Sequence, residues 1–277
     1  MLTKSPLLLS LLLLLFTGCS FKRISQSKNI VFDPANQLSL DVYAPKQSTF
    51  SPVLIFIHGG NWIHGNKSIY KFLGKRMAKK GIVTVVMDYR KGRTVNYEMM
   101  TTDAANAVKW AFNSIETYGG DKNKLFVSGH SAGGHLAALV ATDSSYFTAA
   151  AIKNPLKGVI LIDAFGLDMH SYLKTSNEPG DSIYFPTFSH SEETWKKASP
   201  ISHLNSNTPS FLLFMGTHTY PGIKKDYAIF YPALKKVQPN ASLILQKRKN
   251  HYEMIFQFLN PWNKSFDQIL DFMKNPN

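Results

Sequence analysis

Leu125-Phe126-Val127-Ser128-Gly129-His130-Ser131-Ala132-Gly133-Gly134-His135 is the stretch on which the reading of this chain turns. Leu125 to Ser128 is an apolar run of strand length, and the residues after Ser131 are small and alanine-rich, as in a closely packed helix. A strand that passes straight into a helix leaves little room beside the turn, and Gly129 and Gly133 supply that room. A serine in such a turn is lifted clear of the sheet, and the first turn of the helix favours negative charge next to it. Gly-x-Ser-x-Gly alone is a weak signal. With its strand and helix it marks Ser131 as the candidate nucleophile.

Working outward, Val53–Ile57 is a short continuous apolar run, read as a central strand, and His58-Gly59-Gly60-Asn61-Trp62 follows it directly. Negative charge developing on a carbonyl oxygen needs backbone N–H groups already aimed at it, and glycines let a loop turn its amides inward. The amides of Gly60, Asn61 and Ala132 are therefore the expected oxyanion donors, with His58 orienting the loop.

Apolar runs at Val53–Ile57, Ile82–Met87, Leu125–Ser128, Val159–Ile162, Phe211–Met215 and Leu243–Gln246 alternate with helical patterns at Lys67–Lys80, Tyr97–Tyr118 and His130–Ala141, then near 222–237 and 263–273. This is the pattern of an α/β fold, a mostly parallel sheet flanked by helices. A hairpin of Ile30–Phe32 and Leu38–Tyr43 precedes it. Residues 168–208 are polar and irregular, too long for a plain connection, and read as a small cap. Residues 19–277 thus form one expected domain with a cap insertion.

The chain resembles the esterase/lipase branch of the α/β-hydrolases, in particular carboxylesterases grouped with bacterial feruloyl esterases and kynurenine formamidases. The matching stretches are His58–Trp62, Val86-Met87-Asp88-Tyr89-Arg90, Tyr118-Gly119-Gly120-Asp121, Gly129–Gly134 and Ala198-Ser199-Pro200-Ile201. The resemblance implies an α/β-hydrolase fold, a serine hydrolase cleaving carboxylic esters, and a triad in the order serine, acid, histidine. His251, after the last strand, is then the base, ahead of His203 and His218. The acid departs from the family. Relatives place an aspartate about where Thr219 stands, in Gly216-Thr217-His218-Thr219-Tyr220-Pro221. Asp163, at the end of the preceding strand, is the favoured substitute, because pancreatic-type lipases carry theirs there. Asp226, Glu253 or no carboxylate at all remain open. The substrate is expected to be a small-molecule or carbohydrate ester. An amidase similar to the formamidases and a non-catalytic binding lipoprotein on a degenerate hydrolase fold are the alternatives.

The N-terminus reads separately. Lys4 and the apolar run Leu7–Phe16 have signal-peptide proportions, too short for an ordinary membrane span. Phe16-Thr17-Gly18-Cys19-Ser20 resembles a bacterial lipoprotein signal, with Phe16 in place of the usual leucine. It implies removal of residues 1–18, lipidation of Cys19 and a membrane-anchored protein on the periplasmic or cell-surface side. Cys19 is the one cysteine, so no intrachain disulfide forms. The net charge of +13 is mostly dispersed, and no nucleic-acid-binding motif accompanies it. No cysteine pair or histidine cluster has metal-ligand spacing, so no metal and no organic cofactor is expected.

Overall fold

The computed structural model describes residues 23–175 and 183–276. The expected signal segment and Cys19 lie outside the described residues. The strands are β1 (Ile24–Asp33), β2 (Leu38–Pro45), β3 (Ser51–Ile57), β4 (Val83–Met87), β5 (Gly120–His130), β6 (Leu156–Ile162), β7 (Ser210–Gly216) and β8 (Ser242–Gln246). They form one eight-stranded sheet in the order β1-β2-β4-β3-β5-β6-β7-β8. The β1–β2 and β2–β4 pairs are antiparallel, and every other pair is parallel. This is the α/β-hydrolase fold.

The helices are α1 (Lys71–Lys79), α2 (Tyr97–Ser114), α3 (Ala132–Thr142), α4 (Ser145–Ala149), α5 (Met169–Thr175), α6 (Phe185–Phe188), α7 (Glu192–Lys197), α8 (Pro221–Val237), α9 (Glu253–Phe256) and α10 (Ser265–Lys274). They cover both faces of the sheet, which is why Val53–Ile57 of β3 and Val159–Ile162 of β6 are apolar and buried at every position. Along β3, Val53, Ile55 and Ile57 enter one core with Met100, Ala104 and Val108 of α2, Leu136 of α3 and Phe230 of α8. Leu54 and Phe56 point the other way, into a second core with Leu73 and Met77 of α1 and Ile269 and Phe272 of α10. Asn66 accepts a hydrogen bond from Ser68 N at 3.0 Å in the turn leading into α1. Asn96 accepts from Met99 N at 2.9 Å and caps α2. Among the described residues, no helix is long and apolar enough to cross a membrane.

Element boundaries shift for local reasons. The helix expected over Tyr97–Tyr118 is α-helical only to Ser114, then tightens into a 3₁₀ turn, Ile115–Tyr118, closed by Gly119 at φ 79°. The helix expected from His130 starts at Ala132, because His130 ends β5 and Ser131 alone makes the turn. The segment between β6 and β7 carries α5, α6 and α7 and a 3₁₀ turn at Pro200–His203.

The turn from β5 into α3 presses directly on β3. A Cβ on Gly133 would stand 2.2 Å from the Ile57 carbonyl oxygen, and one on Gly129 would stand 2.1 Å from the Gly133 carbonyl oxygen. Both obstacles are main chain, which no rotamer change relieves. Gly133→Ala is expected to destabilise the fold by about 3 kcal/mol or more. A denaturant midpoint equal to that of the wild type would contradict this packing.

Candidate active site

Ser131 sits at φ 56°, ψ −125°, outside the regions that side-chain-bearing residues favour. Its carbonyl oxygen accepts from Gly134 N at 2.9 Å and His135 N at 3.2 Å, which starts α3. The residue lines a cleft of 760 Å³ together with Gly60, Asn61, His130 and His251. Aromatic walls come from Phe165, Tyr172 and Tyr184 on one side of the chain's order and Phe72, Tyr252 and Phe256 from other segments. No Asp, Glu, Lys or Arg is among the described residues lining the cleft.

The sequence left the carboxylate open, and the geometry separates its candidates. Asp163 follows β6 at φ 49° and is fully buried. Its Oδ2 lies 2.7 Å from His251 Nδ1. Its Oδ1 accepts from Gly216 N at 2.9 Å, and Thr219 Oγ1 donates to Oδ2. The threonine at the family's aspartate position thus binds the aspartate that stands one strand away. Asp226 does something different. From α8 it accepts the amides of Gly166 at 2.6 Å and Leu167 at 3.0 Å, and so braces the loop that leaves Asp163. Glu253 accepts from Asn250 N at 2.8 Å in a local turn. The rival histidines also lie elsewhere: His218 is exposed, and His203 Nε2 bonds the Lys197 carbonyl at 2.8 Å.

The loop after β3 carries consecutive left-handed residues, Gly60 at φ 139°, Asn61 at φ 50° and Trp62 at φ 62°. Such a run turns successive amides toward one side. Among the described residues, none accepts a hydrogen bond from the amides of Gly60, Asn61 or Ala132. His58 is buried behind this loop, its Nδ1 2.9 Å from the Gly59 carbonyl and its ring stacked on Tyr89 at 4.3 Å. Trp62 lies outside the cleft lining: it is fully buried, packed on Phe188 at 4.9 Å, with its Nε1–H donating to His135 Nδ1 at 3.2 Å. Trp195 and Phe185 are not cleft-lining residues either, whereas Tyr184 is.

Sequence reasoning also missed His130 and Tyr70. The His130 ring stacks on His251 at 4.5 Å, and its Nε2 lies 3.1 Å from the His251 carbonyl oxygen. An acceptor there requires the proton on Nε2, leaving Nδ1 to accept from Tyr70 Oη at 3.4 Å. Tyr70 Oη in turn accepts from Gly59 N at 3.1 Å. One chain of hydrogen bonds therefore ties the loop after β3, through the Ser131 turn, to the segment bearing His251. The only hint in the sequence was that His130 is the variable residue inside the serine motif.

Chemically, the arrangement offers a hydroxyl on a strained turn, a buried imidazole held by a carboxylate, and three amides with no acceptor among the described residues, around a cavity whose described lining carries no Asp, Glu, Lys or Arg. Those are the parts of nucleophilic acyl transfer. Among the described residues, no group of three His, Cys, Asp or Glu side chains is placed to hold a metal ion.

The BD-FAE family model matches residues 40–220. The isoprenylcysteine alpha-carbonyl methylesterase of Arabidopsis thaliana is 29% identical over 265 residues, 88% of this chain and 60% of that protein. Esterase LipC of Mycobacterium tuberculosis is 31% identical over 199 residues, 67% of this chain and 48% of that protein. The chain thus spans about 60% or less of the length of these curated relatives. Among solved structures, Esterase B of Lactobacillus rhamnosis superposes with a TM-score of 0.76 at 17% identity, covering 91% of this chain and 85% of that one. The esterase of Pyrobaculum calidifontis superposes with a TM-score of 0.73 at 21% identity, covering 92% and 85%.

The buried histidines set an acid limit on the fold. Burial, then the neighbouring His251, pushes His130 down to about 3, and burial pushes His135 down to about 4. Between pH 6.5 and 4.5 the unfolded chain gains a proton on each and the folded chain does not, so stability falls as pH falls. Burial raises Asp226 to about 7 against the pull of its three amides, so this group opposes the trend. Two histidines against one carboxyl leave a net loss of stability as pH falls through this window. Denaturant midpoints across this window check it; a midpoint that rises on acidification would contradict the assignment.

Proposed function

The chain belongs to the BD-FAE family, and from that premise we propose that it hydrolyses carboxylic esters through an acyl-enzyme on Ser131. The observation that carries the reading is the 2.7 Å contact of His251 Nδ1 with the buried Asp163 carboxylate, behind a cleft that Ser131 shares with His251. In this mechanism His251 Nε2 takes the hydroxyl proton as Ser131 Oγ attacks the ester carbonyl. Asp163 fixes the tautomer and stabilises the imidazolium. The amides of Gly60, Asn61 and Ala132 receive the oxyanion. His251 then protonates the departing alcohol, and water, activated by the same base, releases the acid. Two relatives, a methylesterase and an esterase, support ester hydrolysis.

The aromatic cleft, with no Asp, Glu, Lys or Arg among the described residues that line it, suits a neutral ester. A carbohydrate ester is the narrower form of the proposal, with Asn61, His64 and the tyrosines of the cleft as polar partners for the sugar. The non-catalytic alternative rests on Thr219 occupying the family's aspartate position, and the contact of Asp163 with His251 argues against it. Export with a lipid on Cys19 completes the proposal, and it predicts that palmitate incorporation in cells is lost in Cys19→Ser.

The wild type is expected to be labelled by a fluorophosphonate probe and to hydrolyse p-nitrophenyl acetate, and Ser131→Ala to lose both. Absence of labelling in the wild type would overturn the enzyme reading. Asp163→Asn should lower kcat by about 10⁴-fold. Thr219→Val, which leaves the carboxylate with fewer donors, should lower it by about tenfold. Asp226→Asn should act chiefly on stability; a several-hundred-fold loss of kcat there, with Asp163→Asn near wild type, would reverse the assignment.

A further inference from the structure

Twelve large apolar side chains are exposed among the described residues, and they are unevenly placed. Ile69, Tyr220, Tyr252 and Phe256, 51%, 51%, 60% and 49% exposed, all line the Ser131 cleft at its rim. Tyr252, Phe256 and Leu259 recur at i, i+4 and i+7 through α9 and the 3₁₀ turn Gln257–Leu259. Met254, Ile255 and Phe258 between them are buried. This spacing puts the three exposed side chains on one face. Trp262 follows them at 85% exposure, the highest of the twelve. Phe72 joins from α1, its ring 6.4 Å from that of Phe256. An apolar stripe in contact with water marks a surface that something covers.

What covers it is constrained by where it lies. A protein seated on this rim would shut the route to Ser131. A lipid surface would not, because the ester can pass from it into the cleft. Charge points the same way. The chain carries +13. Lys71, Lys247, Arg248 and Lys264 are exposed close in sequence to the rim, with Glu253 and Asp267 as exposed acidic neighbours. Aromatic side chains flanked by lysine and arginine are the composition that settles at the headgroup boundary of an anionic bilayer.

We propose that this rim docks on an anionic lipid surface and draws neutral, lipophilic esters from it into the cleft. The inference rests on the ester-hydrolase reading above, takes a lipophilic ester rather than a carbohydrate ester as the substrate, and adds where that substrate comes from. Among the described residues no Asp, Glu, Lys or Arg lines the cleft, which fits a substrate that partitions into lipid.

The test compares the full chain with Leu259→Ser/Trp262→Ser, two residues outside the cleft lining. The substrates are a long-chain fluorogenic ester in vesicles of three parts phosphatidylcholine to one part phosphatidylglycerol, and soluble p-nitrophenyl acetate. The double variant should lose about tenfold or more of the vesicle turnover and keep its acetate turnover. Wild-type turnover on vesicles should fall when phosphatidylglycerol is omitted. Equal vesicle turnover in variant and wild type, or an equal loss on both substrates, would overturn the proposal. Brominated phosphatidylcholine reads docking without turnover: it should quench the tryptophan emission of the wild type and much less that of Trp262→Phe. Wild-type protein that hydrolyses neither ester yet is quenched in this way would fail the hydrolase reading and keep the docking; equal quenching of both proteins would overturn the docking.

Discussion

At Ser131 the main chain is held at φ 56° and ψ −125°, and the rest of the molecule is arranged so that it stays there. No local preference favours that conformation for serine, so it persists because its surroundings leave no alternative. β5 is locked between β3 and β6 in parallel register, and α3 must start at once to pack across the sheet. The contact is close enough that Gly133 lies against the Ile57 carbonyl. A hydroxyl that is costly to position is thereby positioned by the whole sheet, and the amide of Ala132 comes with it.

The same economy explains the displaced carboxylate. What His251 Nδ1 requires is an acceptor at hydrogen-bond distance, and the ends of β6 and β7 are adjacent in the sheet. An aspartate at the end of either strand can reach the same imidazole. Here it comes from β6, and the β7 side supplies donors instead, Gly216 N and Thr219 Oγ1. Asp163 needs its loop held at a positive φ, and Tyr227 and Asp226 of α8 hold it, through Ala164 N at 3.0 Å and the amides beyond. A residue that looked like a rival acid is thus a brace for the acid.

What could be read beforehand follows from this. The strand, turn and helix around Ser131 and the glycine loop after β3 are local patterns, so their positions were legible from spacing. His251 was legible because fold order placed it late. Which strand end faces it is a tertiary fact, so Asp163, Asp226 and Glu253 could not be told apart by sequence distance. Thr219 read as a loss, because a hydroxyl's partner is invisible without the neighbouring strand. His130 was passed over because it stands inside the motif, where only the stacked ring of His251 gives it meaning.

The account's central claim is that Ser131, the three amides, His251 and Asp163 form one site. A crystal structure of the protein after reaction with a fluorophosphonate tests it most directly. The account predicts phosphorus bonded to Ser131 Oγ, with its non-bridging oxygen about 3 Å from the amides of Gly60, Asn61 and Ala132. His251 should remain hydrogen-bonded to Asp163. An adduct on another residue, a phosphoryl oxygen facing away from those amides, or a His251 that has left Asp163 for a different carboxylate would contradict it.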